Sequence, residues 1–206
     1  MRHWLMKSEP DTFSIDNLER VRVEPWSGVR SFFARAYMRA MSVGDMALFY
    51  HSSVQPPGVA GLAKIVRVGV VDETQFDPKS QYFEEKATRE APVWDCVDVE
   101  FVERFPYYVT INRIRKDPEL AQMVLLKPGR LSVQPVEAAE FARIVEMGNT
   151  EPPPGADDKP KATPKAAVKK TSAKPTSRPK RPAASKAPAS RAKQNKPRPR
   201  SRSSSR

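Results

Sequence analysis

The chain is poor in the residues that build disulfides, metal centres and hydrolytic triads. It has one cysteine, Cys96, and two histidines, His3 and His51. A lone cysteine forms no internal disulfide and no thiolate metal cluster, which fits a reducing compartment. Nothing in it matches a nucleotide-phosphate loop, a zinc-ligand spacing or a nucleophile elbow. No stretch approaches the ~18 apolar residues of a membrane span. Arg2, Lys7 and Glu9 interrupt the first ten residues, where a signal peptide carries its apolar core. No cofactor, metal or membrane partner is therefore expected.

Basic charge is missing from most of the chain as well, although the whole carries 36 Lys and Arg against 24 Asp and Glu, a net +12. Residues 151–206 hold 17 of the basic residues and 3 of the acids, so the part before them is near neutral, with 19 against 21. The same terminal stretch has no aromatic residue and, apart from Val168, no branched aliphatic one. Such a segment cannot bury enough apolar surface to offset its ordering entropy. The expected organisation is a folded domain over 1–148 and a disordered basic tail over 149–206. A dense cationic tail attracts phosphate whatever the sequence, whereas a neutral domain recognises by shape and pocket.

Within the body, alternation and turn residues predict strands at 3–8, 46–51, 59–71, 93–105 and 131–133. They also predict helices at 15–21, capped by Ser14, at 31–41, at 110–116 and at 136–147. Phe33, Tyr37 and Met41 fall at i, i+4 and i+8 of the second helix, an apolar stripe. The segment 74–92 reads as loop. Strands and helices interleave without regular βαβ spacing, so the fold class is α+β, a small curved sheet or partial β-barrel flanked by short helices.

Strand ends of such a sheet converge on one rim, and the clusters that fall there are aromatic and polar. They are Lys7-Ser8-Glu9-Pro10, Trp26-Ser27-Gly28-Val29-Arg30, Tyr50-His51-Ser52 and Arg130-Leu131-Ser132. An aromatic plate, an apolar neighbour for a methyl group and polar groups for the edge suit a planar base, and a glycine lets backbone approach it. With Phe49, Pro57-Gly58-Val59, Gln75-Phe76-Asp77-Pro78 and Val133-Gln134-Pro135, these blocks resemble the EVE domain, in order, from about residue 2 to 147.

The resemblance implies a PUA-like fold related to the YTH domain, and a pocket for modified bases in DNA or RNA, 5-methylcytosine and its oxidised forms first among them. It makes Trp26 a pocket wall beside Gly28, Val29 and Arg30, with Ser8, Ser52 and Ser132 as polar rim groups. Lys7, Glu9, Tyr50, His51 and Arg130 complete the candidate base-binding set. One departure is Ser31-Phe32-Phe33, where many members carry Asn, an aromatic and Gln.

The expected function is nucleic-acid binding by a monomer, the domain selecting a modified base and the tail holding phosphate. One rival is an enzyme processing a modified nucleoside, with Lys7, Glu9 or His51 as acid/base groups. The other is a nucleoid-coating protein without base preference. The expected location is the cytoplasm of a bacterium, near the nucleoid, with a nucleus as the second choice.

Overall fold

The computed structural model describes residues 1–153 apart from Arg130, and everything below concerns those residues. The tail beyond them lies outside the described residues. Six strands form one open mixed sheet: β1 (His3–Ser8), β2 (Val23–Pro25), β3 (Met46–His51), β4 (Gly58–Val71), β5 (Asp95–Thr110) and β6 (Val133–Val136). Their order across the sheet is β2-β5-β4-β3-β1-β6. Only β1 and β3 run parallel, with Lys7 beside Tyr50 and Ser8 beside His51. Four helices flank the sheet, α1 (Ile15–Val21), α2 (Phe32–Arg39), α3 (Ile111–Lys116) and α4 (Ala138–Asn149). No described helix is long and apolar enough to cross a membrane.

Both faces of the sheet are buried, and the strand period of two decides which residue goes where. Trp4 and Met6 of β1 and Ala47 and Phe49 of β3 join α1, α2, Trp26 and Val133 in one apolar cluster. Leu5, Leu48 and Tyr50 point to the opposite face, where Ile114, Ile144 and Met147 close a second cluster. A single alternating strand thus feeds two cores. Ser14 caps α1 as expected, in a capping box with Asn17.

Several expectations need correction. The buried face of α2 is Ala34 and Met38, with Tyr37 packed alongside, while Phe33 stands 76% exposed. The stripe is rotated because small Ala34 lets the helix approach the sheet, and bulky Phe33 lies on its flank. β2 was not anticipated at all, since three residues are too few to show alternation, yet it pairs with β5. β5 itself runs past Phe105 and through Pro106 to Thr110.

Proline is tolerated there because the β4–β5 register breaks between Val59 and Gly61, and no ladder partner faces residues 105–108. At Gly61 any Cβ would lie 2.2 Å from the Glu103 carbonyl oxygen, so only glycine admits this close approach. The last strand and helix begin two residues later than the sequence pattern placed them, at Val133 and Ala138.

Candidate functional site

The parallel pair β1/β3 ends at the same level as the loop leaving β2, and this coincidence builds a cleft of about 720 Å³. Its walls include Lys7, Ser8, Glu9, Phe13, Trp26, Gly28, Val29, Arg30, Ser52, Tyr82 and Ser132. Most of the sequence-predicted set is therefore brought together. Tyr50 and His51 are not among the lining residues, and Arg130 lies outside the described residues.

Trp26 follows directly from β2, and its amide donates to the Val97 carbonyl of β5 at 2.8 Å. The indole is largely buried, edge-on to Phe49 with ring centroids 5.4 Å apart, so the core fixes its orientation. Gly28 turns the chain back with φ +79°, and its amide donates to Asp72 Oδ2 at 2.9 Å. A Cβ at Gly28 would lie 2.7 Å from the Tyr82 ring, so its absence lets that ring fold over the loop.

Tyr82, from the 74–92 segment, is a second aromatic wall that sequence reasoning missed. It stands in a stretch without periodicity, and the signal available was the Gln75-Phe76-Asp77-Pro78 block just before it. Buried Gln75 fixes that stretch: its amide nitrogen donates to the Asp72 and Trp94 carbonyls, and its oxygen accepts from the Val93 and Trp94 amides. Ser27 and Ser31 line the cleft as well, together with Thr12 and Gln81, which the sequence did not single out.

Arg30 has a different task from the one its type suggests. Nε donates to the Tyr82 carbonyl at 2.9 Å, Nη1 to Val29 O at 2.9 Å and to Asp72 Oδ2 at 2.7 Å, and Nη2 to Thr74 Oγ1 at 3.0 Å and to Tyr82 O. All five N–H donors are thereby used, and none remains for a phosphate. Its guanidinium also lies over the Tyr82 and Trp94 rings. Burial would push the Asp72 carboxyl up, but Arg30, Thr74 and the Gly28 amide outweigh it and hold Asp72 below the usual carboxylate range. Arg30 is the pin that fixes the aromatic wall.

The serines present their lone pairs. Ser8 donates its hydroxyl proton to Phe13 O at 2.6 Å, and Ser52 donates to Ser8 O at 3.1 Å. With their protons committed, both offer acceptors to a ligand. Ser132 holds the rim through its carbonyl, which accepts the Lys7 amide at 2.8 Å. Ser31 accepts the Ala34 amide as the α2 cap, leaving its proton free to donate.

The residues suited to acid/base work are scattered. His51 Nε2 accepts the Ile15 amide at the start of α1, at 3.1 Å, which fixes it as a neutral acceptor. Burial lowers its pKa against the weaker opposing pull of Asp16. Glu9 accepts from Ser53 at 3.2 Å. The Lys7 ammonium lies 5.8 Å from the Tyr50 ring centre, on the other side of β1 from Ser8. Tyr50 packs in the second core cluster, and burial pushes its phenol up to about 12 despite nearby Arg115.

The EVE domain profile matches residues 2–147. The chain belongs to the EVE domain family. Thymocyte nuclear protein 1 of Homo sapiens is 35% identical over 169 residues, covering 73% of this chain and 75% of that protein. Its Danio rerio counterpart is 40% identical over a similar span, 72% and 73%. Among solved structures, a hypothetical protein from Leishmania major is 50% identical, with TM-score 0.70, over 72% of this chain and 94% of that one. The human THYN1 protein, solved in complex with 5-methylcytosine-containing DNA, is 34% identical with TM-score 0.70, over 74% of this chain and all of that one. The PUA-like architecture inferred from the sequence blocks is thus that of the EVE domain.

Proposed function

We propose that this EVE domain captures a modified nucleobase, 5-methylcytosine first among the candidates, flipped or unpaired, in the cleft between Trp26 and Tyr82. The observation that carries the reading is the pairing of two fixed aromatic walls with hydroxyl acceptors on one rim. Stacking on an aromatic wall is worth about 1–3 kcal/mol per base and does not depend on base identity. The Ser8 and Ser52 oxygens match the exocyclic amino group of cytosine, which donates, and the Ser31 proton matches a ring acceptor. The human relative's complex with 5-methylcytosine-containing DNA supports the same ligand class.

Magnitudes separate selectivity from affinity. Burying one methyl group is worth about 0.8 kcal/mol, or about fourfold, so methyl burial alone discriminates modestly. The segment 151–206, with its 17 basic residues, supplies sequence-independent phosphate attraction and raises the local concentration of bases at the cleft. Action on nucleic acid fits a nucleus or a nucleoid equally.

The test is competition binding of the full chain to matched DNA and RNA oligonucleotides, methylated and unmethylated, at two salt concentrations. Wild type is expected to prefer the methylated DNA. Trp26→Ala is expected to remove that preference while leaving salt-sensitive binding in place. A preference that survives Trp26→Ala refutes the pocket.

A further inference from the structure

Beside the cleft, on the opposite side of β1, lies a second and smaller pocket of about 340 Å³. Lys7, Tyr50, Gln55, Asn112 and Arg115 supply its polar lining, and none of the lining residues is an acid. Several other cations of the domain are neutralised: Arg30, Arg39, Arg67 and Arg104 each face a carboxylate within salt-bridge distance. Lys7 and Arg115 form no ion pair among the described residues, although Lys7 is half-buried. Burial without a counter-charge lowers the Lys7 pKa. Holding an ammonium in that state costs stability unless an anion offsets it.

The remaining groups are donors too. The Tyr50 phenol, which burial pushes up to about 12, is protonated and makes no hydrogen bond among the described residues. The Asn112 amide has two N–H groups. The site therefore offers an ammonium, a guanidinium, a phenol and an amide, with no acid among its lining residues. That is the complement of a phosphate.

The position decides which phosphate. Consecutive strand residues point to opposite faces, so Ser8 turns to the cleft and Lys7 to the pocket. Lys7 borders both cavities. We infer that a phosphate group of the nucleotide whose base fills the cleft is held in this second pocket by Lys7, Arg115, Asn112 and Tyr50. The nucleotide straddles the end of β1, base on one side and phosphate on the other. Lys7 then acts on phosphate and not on the base edge, and the chain reads a nucleotide rather than a free base. This inference rests on the base-binding reading of the cleft.

The test is calorimetric titration of the full chain with 5-methyl-2′-deoxycytidine, its 5′- and 3′-monophosphates, the unmethylated counterparts and inorganic phosphate. One monophosphate is expected to bind about tenfold more tightly than its nucleoside, as a set of charge-assisted hydrogen bonds provides. In Arg115→Gln that ratio should fall below about threefold, by the same arithmetic applied to the missing charged donors. Lys116→Gln removes equal charge from the same helix outside the pocket and should keep the ratio.

Each ratio is taken within one variant, so a change in folded fraction cancels. Equal affinity for nucleoside and both monophosphates, or an Arg115→Gln ratio equal to wild type, overturns the pocket. So does inorganic phosphate binding as tightly as the nucleotide, because the base then contributes nothing. If the phosphate increment behaves as expected but methylation brings no gain, the modified-base reading fails and the phosphate pocket stands. Absence of binding by every probe refutes both.

Discussion

Replacing Arg30 by lysine keeps the charge and removes the fork, which separates a structural pin from a phosphate ligand. Arginine makes five N–H hydrogen bonds to Val29, Asp72, Thr74 and Tyr82, and lysine has three donors on one atom. At least two hydrogen bonds disappear, at about 1 kcal/mol each. The stacking of the guanidinium on Tyr82 and Trp94 goes with them, worth about 0.5–1 kcal/mol more. A destabilisation of about 3 kcal/mol lowers Tm by about 6–12 °C in a domain of this size.

Thermal unfolding of the full chain followed by near-ultraviolet circular dichroism reads that change. Arg30→Gln supplies the complementary arm, measured as the salt dependence of oligonucleotide binding. If Arg30 bound a phosphate, this substitution would flatten the slope of log K against log salt by about 0.9, whereas removing a pin leaves the slope unchanged. A Tm for Arg30→Lys within about 2 °C of wild type, well short of the expected fall, together with a flattened slope in Arg30→Gln, refutes the pin.

Gly28→Ala places a side chain at φ +79° and against the Tyr82 ring, and the backbone strain alone costs about 1–2 kcal/mol. Lower Tm and weaker binding of methylated oligonucleotide are expected together, and unchanged affinity would remove Tyr82 from the site. His51 has its pKa lowered by burial, so it contributes stability that is complete above its ordinary 6.5 and is lost as the pH falls through the folded value. The urea midpoint should decline as the pH falls below the ordinary histidine value of about 6.5, and His51→Gln, which accepts from Ile15 without titrating, should flatten that decline. The Tyr108 hydroxyl is buried without a hydrogen-bond partner among the described residues, so Tyr108→Phe removes an unsatisfied group and should be neutral or stabilising by up to about 1 kcal/mol. A drop in Tm would show that the hydroxyl has a partner.

Much of the site was legible in the sequence. Lys7-Ser8-Glu9, Trp26 to Arg30, Ser52 and Ser132 stand out as aromatic, glycine and polar clusters at strand ends, and the cleft gathers them. Tyr82 was not singled out because its segment has no period, and in the folded chain Arg30 binds its carbonyl and holds it at the cleft. Tyr50 and His51 sat in the right block yet leave the cleft. Tyr50 faces the other core, and His51 turns its ring to the start of α1. Adjacency in sequence carries no information on which face a residue takes once both faces are buried.

Local chemistry determined what lies along the chain: where strands and most helices run, that a single cysteine forms no internal disulfide, and that the net positive charge is confined to the last quarter. Those properties depend on composition and on neighbours within a few residues. Pairing decided the rest. β2 exists because β5 accepts it, Pro106 survives inside a strand because the β4–β5 register breaks there, and Arg30 is a pin because Asp72 and Tyr82 reach it from some forty to fifty residues away. Whether a cation is neutralised or, as with Lys7 and Arg115 among the described residues, left without an ion pair follows from such distant partners, which only the folded chain brings together.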